Sequence, residues 1–167
     1  MSNTEKNLKT AFAGESQANR KYLAFAKKAE KEGFPNIAKL FRAIAEAETI
    51  HAHNHLRILQ MIKSTKENLQ AALNGEIYEF TNMYPGFIKT ATQEGIKDAV
   101  LSFNYANRVE KIHGNLYKKA IESIEENKDM EDVEFFVCQV CGYTVEGEAP
   151  DVCPVCGSPK EVFKKIS

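Results

Sequence analysis

Cysteine is absent from everything ahead of Cys138 in this 167-residue chain, and all four cysteines fall in the last stretch, as two C-x-x-C pairs. No disulfide framework therefore holds the long first part, and the cysteines serve a local purpose. Net charge is also lacking: 22 Lys and Arg stand against 23 Asp and Glu. That gives no basic patch for phosphates and excludes nucleic acid as an expected partner. No apolar run approaches the roughly 20 residues of a membrane-spanning helix. The opening MSNTEKNLK lacks the apolar core of an export signal. The expectation is a cytoplasmic protein with no membrane partner.

What is present is helical period. From about Thr4 to Asn127 apolar residues recur every three or four positions. A first stripe runs through Leu8, Phe12, Glu15, Asn19, Tyr22 and Ala26. A second, after Gly33-Phe34-Pro35, runs through Ile37, Phe41, Ile44, Glu48, His51, His55, Ile58 and Ile62. A third opens on the capping signal Ser64-Thr65-Lys66-Glu67 and carries Leu69, Leu73, Glu76, Phe80, Met83 and Phe87, with a kink expected at Pro85. The fourth follows Glu94-Gly95 and carries Ile96, Val100, Phe103, Asn107, Glu110, His113, Tyr117 and Ile121. Four long amphipathic helices imply an all-α four-helix bundle. The acidic stretch ENKDMEDVE, residues 126–134, has no such stripe. We therefore expect a bundle over residues 1–131 and a small, mostly β and loop, four-cysteine module over 132–167, a piece too short to fold without a staple.

The helical part repeats itself. Phe41, Glu48, Ile50 and His51 match Phe103, Glu110, Ile112 and His113, and Gly14-Glu15 matches Gly75-Glu76, with spacings that agree within one residue. At i, i+3 a Glu and a His share a helix face and reach one point, leaving a carboxylate oxygen free to bridge to a second metal. The 1.5 Å rise per residue puts the acids of each hairpin at levels that differ by only several ångströms. One Glu from each of two helices and Glu-x-x-His from each of the other two is the arrangement of ferritin-like di-iron and di-manganese carboxylate proteins. A lone Glu-x-x-His is usually surface decoration. Two of them, on apolar stripes with no Lys or Arg at the same level, are not. Glu79 has no counterpart, since Ala18 stands at its place in the first hairpin; the pattern alone leaves it as a ligand or an exposed acid. His53 points away from His51 and reads as solvated, and His55 reads as a packing histidine.

In the tail, Cys138-x-x-Cys141-Gly142 and Cys153-x-x-Cys156-Gly157 place four thiolates for one tetrahedral metal. Zinc would make the module structural, and iron would make it a one-electron carrier. Beside a redox-capable pair of metals, iron is the more useful.

Over nearly its whole length the chain resembles the rubrerythrins. The likeness is carried by Phe12-Ala13-Gly14-Glu15-Ser16, Ala47-Glu48-Thr49-Ile50-His51-Ala52, Gly75-Glu76-Ile77-Tyr78-Glu79-Phe80, Met83-Tyr84-Pro85, Glu110-Lys111-Ile112-His113 and the two cysteine pairs. The resemblance implies a ferritin-like bundle with a non-haem di-iron site, joined to a rubredoxin-like domain holding one iron in Cys138, Cys141, Cys153 and Cys156, where zinc is a possible substitute. It implies di-iron ligands Glu15, Glu48, His51, Glu76, Glu79, Glu110 and His113, with Glu48 and Glu110 bridging and with Glu79 and His51 alternating on one iron. Tyr22 and Tyr84 match tyrosines that flank the ligands. The implied activity is a peroxidase that reduces hydrogen peroxide to water in oxidative-stress protection. Its electrons would come from a redox donor such as a rubredoxin or an NAD(P)H-dependent reductase. The rival reading is a ferritin-type ferroxidase.

Because the linker leaves from the end of the fourth helix, the cysteine iron is expected about 20 Å from its own chain's di-iron site. Close approach is then expected to need a second subunit, and the resemblance implies a head-to-tail homodimer in which one chain's cysteine iron serves its partner's di-iron site. The short path from His51 to Glu76 suggests that helix pairs are exchanged between the two chains.

Overall fold

The computed structural model describes residues 2–166. Within them the chain forms two compact units, Met1–Lys63 and Ser64–Ser167.

The first unit is a helical hairpin, α1 (Asn3–Lys31) and α2 (Pro35–Ile58). Ser2 caps α1 by accepting from the Glu5 N–H at 3.1 Å, and Pro35 opens α2 where its missing N–H costs nothing. The helices meet along small residues. Ala38, Ala45 and Ala52, seven apart, are buried on α2 against Asn19, Ala26 and Ala29 of α1. Alanines let the two backbones approach closely, so the Asn19 amide donates to Ala45 O at 2.7 Å and to Thr49 Oγ1 at 2.8 Å. This corrects the expected inward stripe. Ile37, Ile44 and Ile58 stay exposed, and Ile62 lies beyond the end of α2. Period alone does not say which of two neighbouring stripes makes the first contact, and here the narrower alanine stripe does. Tyr22, Phe25 and Phe41 form a ring cluster with centroids 5.6 to 6.3 Å apart.

In the second unit α3 (Thr65–Tyr78) starts on a full capping box between Ser64 and Glu67. It passes through a π turn, Glu79–Met83, into α4 (Tyr84–Gln93). The kink expected at Pro85 is thus built as a π turn ahead of it, with Pro85 placed at the start of α4, where a proline is tolerated. This explains the one-residue mismatch in the repeat. Tyr22 and Tyr84, Phe25 and Phe87, Phe41 and Phe103, Glu48 and Glu110, and His51 and His113 are all 62 apart, but Glu15 and Glu76 are 61 apart. A π turn takes up one extra residue. After it, Tyr84, Phe87 and Phe103 form a cluster with centroids again 5.6 to 6.3 Å apart.

Helix α5 (Lys97–Glu125) runs back against α3 and α4. The chain then reverses, and a three-stranded antiparallel sheet of order β2-β1-β3 follows: β1 (Phe135–Cys138), β2 (Thr144–Glu146) and β3 (Phe163–Ile166). Glu161 and Val162 lie in a 3-10 turn that leads into β3. The module packs on α5 itself. Val109, 2% exposed, is buried with Cys138, Cys153 and Val155, and Tyr105 and Ile112 flank them. Lys119 pairs with Glu146 at 2.8 Å. The expected 20 Å separation is therefore not what the fold adopts. Residues 126–134 turn the chain back, and the sheet lies along the helix it came from.

Candidate metal centres

Each unit gathers its own carboxylate and histidine group. In the first, α1 supplies Glu15 and α2 supplies Glu48 and His51, with their ligand atoms within 4.8 Å of one another. His51 Nδ1 lies 2.8 Å from Glu48 Oε2. In the second, α3 supplies Glu76 and α5 supplies Glu110 and His113, again within 4.8 Å. His113 Nδ1 lies 2.8 Å from Glu110 Oε2 and 3.8 Å from Glu76 Oε2. The i, i+3 spacing brings both His Nδ1 atoms to the carboxylate of their own helix.

Electrostatics in the second unit argue that this group waits for a cation. Burial, followed by the hydrogen bond and charge of Glu110, pushes the Glu76 carboxyl up to about 7, against a smaller opposite pull from His113. Such crowding of carboxylates without a Lys or Arg is costly unless a metal neutralises it. The Glu110 hydrogen bond holds His113 toward its protonated form despite burial. A metal ion taking the place of the Nδ1 proton would keep that positive charge in position.

Glu79, on the first residue of the π turn, lies outside the 4.8 Å group but within its field. Burial and then the Glu110 charge raise its pKa. Tyr84 is raised too, by burial and then by Glu110, Glu79 and Glu76, so its hydroxyl keeps its proton beside three acids. Tyr22 sits in the matching ring cluster of the first unit. His53 is exposed, as expected; His55 is half-buried, with a buried Nδ1 that has no hydrogen-bond partner among the described residues.

Cys138, Cys141, Cys153 and Cys156 are free thiols whose sulfurs lie within 4.8 Å of one another. Sγ of Cys138 is 3.7 Å from that of Cys156, and Sγ of Cys141 is 3.6 Å from that of Cys153. A metal–sulfur bond of about 2.3 Å gives a tetrahedral edge of about 3.8 Å, so a metal fits with little movement. Both turns close on glycines with positive φ, Gly142 at 83° and Gly157 at 75°, whose N–H groups donate to Cys138 O and Cys153 O at 2.9 Å. Burial raises the Cys141 thiol. Burial would raise Cys156 as well, but the hydroxyl and N–H of Ser158, together with the Cys153 and Cys141 side chains, outweigh it and lower that thiol to about 6. One sulfur is thus ready to bind as thiolate.

Two residues that sequence reasoning missed join the module to α5. The Thr144 hydroxyl donates to Gly142 O at 3.1 Å and lies 3.0 Å from His113 Nε2. Arg108 donates from its two terminal nitrogens to Pro154 O and Val155 O, both at 2.7 Å. Neither has a sequence signal, because each contact spans more than 30 residues.

Comparison with known proteins agrees with both centres. The rubrerythrin family model matches residues 6–121, and the model for the rubrerythrin rubredoxin-like domain matches residues 136–164. Rubrerythrin-2 of Clostridium acetobutylicum is 40% identical, over 94% of this chain and 93% of its own. Nigerythrin of Nitratidesulfovibrio vulgaris is 38% identical, over 96% of this chain and 85% of its own. A solved structure described as the fully reduced, all-ferrous state of nigerythrin has a TM-score of 0.59 and 38% identity, covering 99% of this chain and 88% of that one. The fold is thus ferritin-like helices with a rubredoxin-like module. The four cysteines form the rubredoxin-like iron set, and the Glu and His groups are positioned for a di-iron site. No helix of the described residues is long and apolar enough to cross a membrane.

Proposed function

Because the chain belongs to the rubrerythrin family, we propose that this oxidoreductase is a peroxidase that reduces hydrogen peroxide to water, H2O2 + 2 H+ + 2 e− giving 2 H2O, in protection against oxidative stress. The observation that carries the reading is the joining of two kinds of metal centre through α5. His113 of the carboxylate group and Thr144 of the cysteine module are hydrogen-bonded, so a multi-electron site and a one-electron site share a helix.

The proposed di-iron ligands are Glu15, Glu48, His51, Glu76, Glu79, Glu110 and His113, and the single iron is held by Cys138, Cys141, Cys153 and Cys156. When bound, the iron pair supplies the two electrons that cleave the O–O bond, one from each metal. The chain's own residues supply the rest. Tyr84 holds a proton next to Glu76, Glu79 and Glu110, where oxygen leaving as water must be protonated. The cysteine module takes electrons singly from a soluble donor such as a rubredoxin or an NAD(P)H-dependent reductase. Its packing on its own α5 supports transfer toward His113 of the same chain. The proposed assembly is a head-to-tail homodimer with exchanged helix pairs, in which each bundle combines the first unit of one copy with the second unit of the other. Sedimentation as a monomer would refute that assembly.

The test of activity is direct. The iron-loaded protein is reduced without oxygen, one equivalent of peroxide is added, and the ferric–thiolate absorption and residual peroxide are followed. Rapid recovery of colour with peroxide consumed is the expected result. Zinc at the cysteines with peroxide left intact overturns the proposal, and oxidation and storage of added ferrous iron without peroxide turnover selects a ferroxidase instead.

A further inference from the structure

Arg108 is unusual among the charged groups of α5 because its guanidinium is spent on two backbone carbonyls and, among the described residues, on no carboxylate. Those carbonyls are the ones between the second pair of cysteines. Nη2 binds Pro154 O and Nη1 binds Val155 O, both at 2.7 Å. Each carbonyl shares a peptide plane with the next residue's N–H, so the two planes contacted carry the N–H groups of Val155 and Cys156. Both of these N–H groups hydrogen-bond to the sulfur of Cys153, which is 2% exposed. Two parallel relays therefore run from one cation to one buried sulfur, each through a single peptide group.

A peptide group whose oxygen accepts from a cation becomes a stronger donor at its nitrogen, since chained hydrogen bonds polarise one another. Hydrogen bonds to the sulfurs are among the factors that set the potential of an iron–thiolate centre. Four thiolates around ferric iron carry a charge of −1. Reduction by a one-electron donor brings it to −2, with no bond formed or broken. The added charge spreads onto sulfur, and strengthened donors at Cys153 favour the reduced state.

We propose that Arg108 is a positioning residue for electron transfer, one that raises the reduction potential of the four-cysteine iron by polarising the Pro154–Val155 and Val155–Cys156 peptide groups toward Cys153. The inference rests on the reading that these cysteines hold a redox-active iron. It gives the helix that carries Glu110 and His113 a second task, tuning the centre docked on it. An easily reduced entry iron accepts electrons from weak donors, and it returns to the ferric form only when the acceptor beyond it is strongly oxidising, as a peroxide-treated site is.

The test is the midpoint potential of the four-cysteine iron in the full-length, iron-loaded protein, read by spectroelectrochemical titration of the ferric–thiolate absorption. Wild type, R108K, R108Q, R108M and K119M are compared. The expected order is wild type, then R108K, then R108Q, then R108M. At the wild-type midpoint the ferrous-to-ferric ratio should fall about tenfold in R108M, a shift of about 59 mV for one electron. K119M removes the Glu146 ion pair, which also holds the module on α5 but touches neither peptide group, and it should keep the wild-type value. Equal potentials in wild type and R108M overturn the proposal. A fall in K119M as large as in R108M overturns it too, because docking rather than polarisation would then set the potential. Absence of a reversible iron couple in the wild type would instead refute the underlying reading of the cysteine site.

Discussion

Replacing Thr144 with valine tests how far the cysteine module governs the carboxylate centre. The Thr144 hydroxyl has one proton, and it is donated to Gly142 O at 3.1 Å. The contact at 3.0 Å with His113 Nε2 must then be a bond in which the ring donates and threonine accepts. A proton fixed on Nε2 leaves Nδ1, which faces Glu110 and Glu76, as the atom that a metal can take. Valine has nearly the same shape, and residue 144 lines a cavity of ≈ 330 Å³ beside His113, so the change removes the acceptor without crowding. His113 keeps a backbone hydrogen bond with Gly142, so losing the threonine acceptor costs about 1 kcal/mol, the low end of the range for a weakened half-buried donor, and about 1.4 kcal/mol is a factor of ten in affinity. The expected effect is a loss of about fivefold in metal affinity at Glu76, Glu110 and His113. Anaerobic titration with ferrous or cobaltous ion, followed by calorimetry, measures it. Thr144→Ser, which keeps the hydroxyl, should stay within about threefold of wild type. Unchanged affinity in Thr144→Val, or a serine variant as weak as the valine one, would refute the reasoning.

The metal-free protein should also report on Glu76 through pH. Its folded pKa, about 7, lies above the ordinary 4.5, so the folded state binds the extra proton. That contribution to stability is full below about 4.5 and is lost as pH rises through about 7. The melting temperature of metal-free protein should fall across this window, and Glu76→Gln should flatten the fall; an equal slope in the variant counts against the assignment. Metal loading runs the other way, strengthening as the carboxyl loses its proton. In the first unit, Ala45→Leu inserts a large side chain into a seam where Ala45 is 1% exposed and its carbonyl accepts from Asn19. Overpacking of this kind costs about 1–3 kcal/mol, so thermal or urea unfolding should show a clear loss, and wild-type stability would mean that the hairpin is looser than its alanine seam implies.

Much of the helical framework was legible because its signals are local. The capping box at Ser64 and Glu67 and the three-four period each act within a turn or two; the helices and the cap form where they were expected, and Pro35 and Pro85 both stand at helix starts, although the bend lies in the π turn ahead of Pro85. The gathering of Glu15 with Glu48 and His51, and of Glu76 with Glu110 and His113, was legible for a related reason, since Glu-x-x-His is a one-turn motif and its repetition singled out two copies from the many charged pairs on these helices. Two features were not readable. Alanine and isoleucine stripes run side by side on α2, and the choice of the alanine seam depends on how closely α1 approaches, which no window on one helix contains. The docking of the cysteine module depends on Val109, Arg108 and Thr144. Their partners are distant in sequence, and each contact is a single event with no repeat to mark it.

The one-residue slip in the repeat is where sequence and structure explain each other best. Had α3 continued as an ordinary helix, the extra residue would have turned Tyr84 and Phe87 by about 100° and broken the ring cluster that matches Tyr22, Phe25 and Phe41. The π turn absorbs the residue instead, so the ring cluster is kept and Glu79 sits on the first residue of the distorted segment, in the field of Glu110 and His113. The first unit, with Ala18 in that place, has no such acid. The second unit is therefore the half with surplus negative charge, and it is the half on which the cysteine module packs, through Thr144 to His113 and through Arg108 to the loop of Cys153. Two nearly equal hairpins have been made unequal by one inserted residue and one docked module, both on the same side. The carboxylate–histidine group of the second unit thus differs from that of the first both in charge, through Glu79, and in contact with the cysteine module, through Thr144.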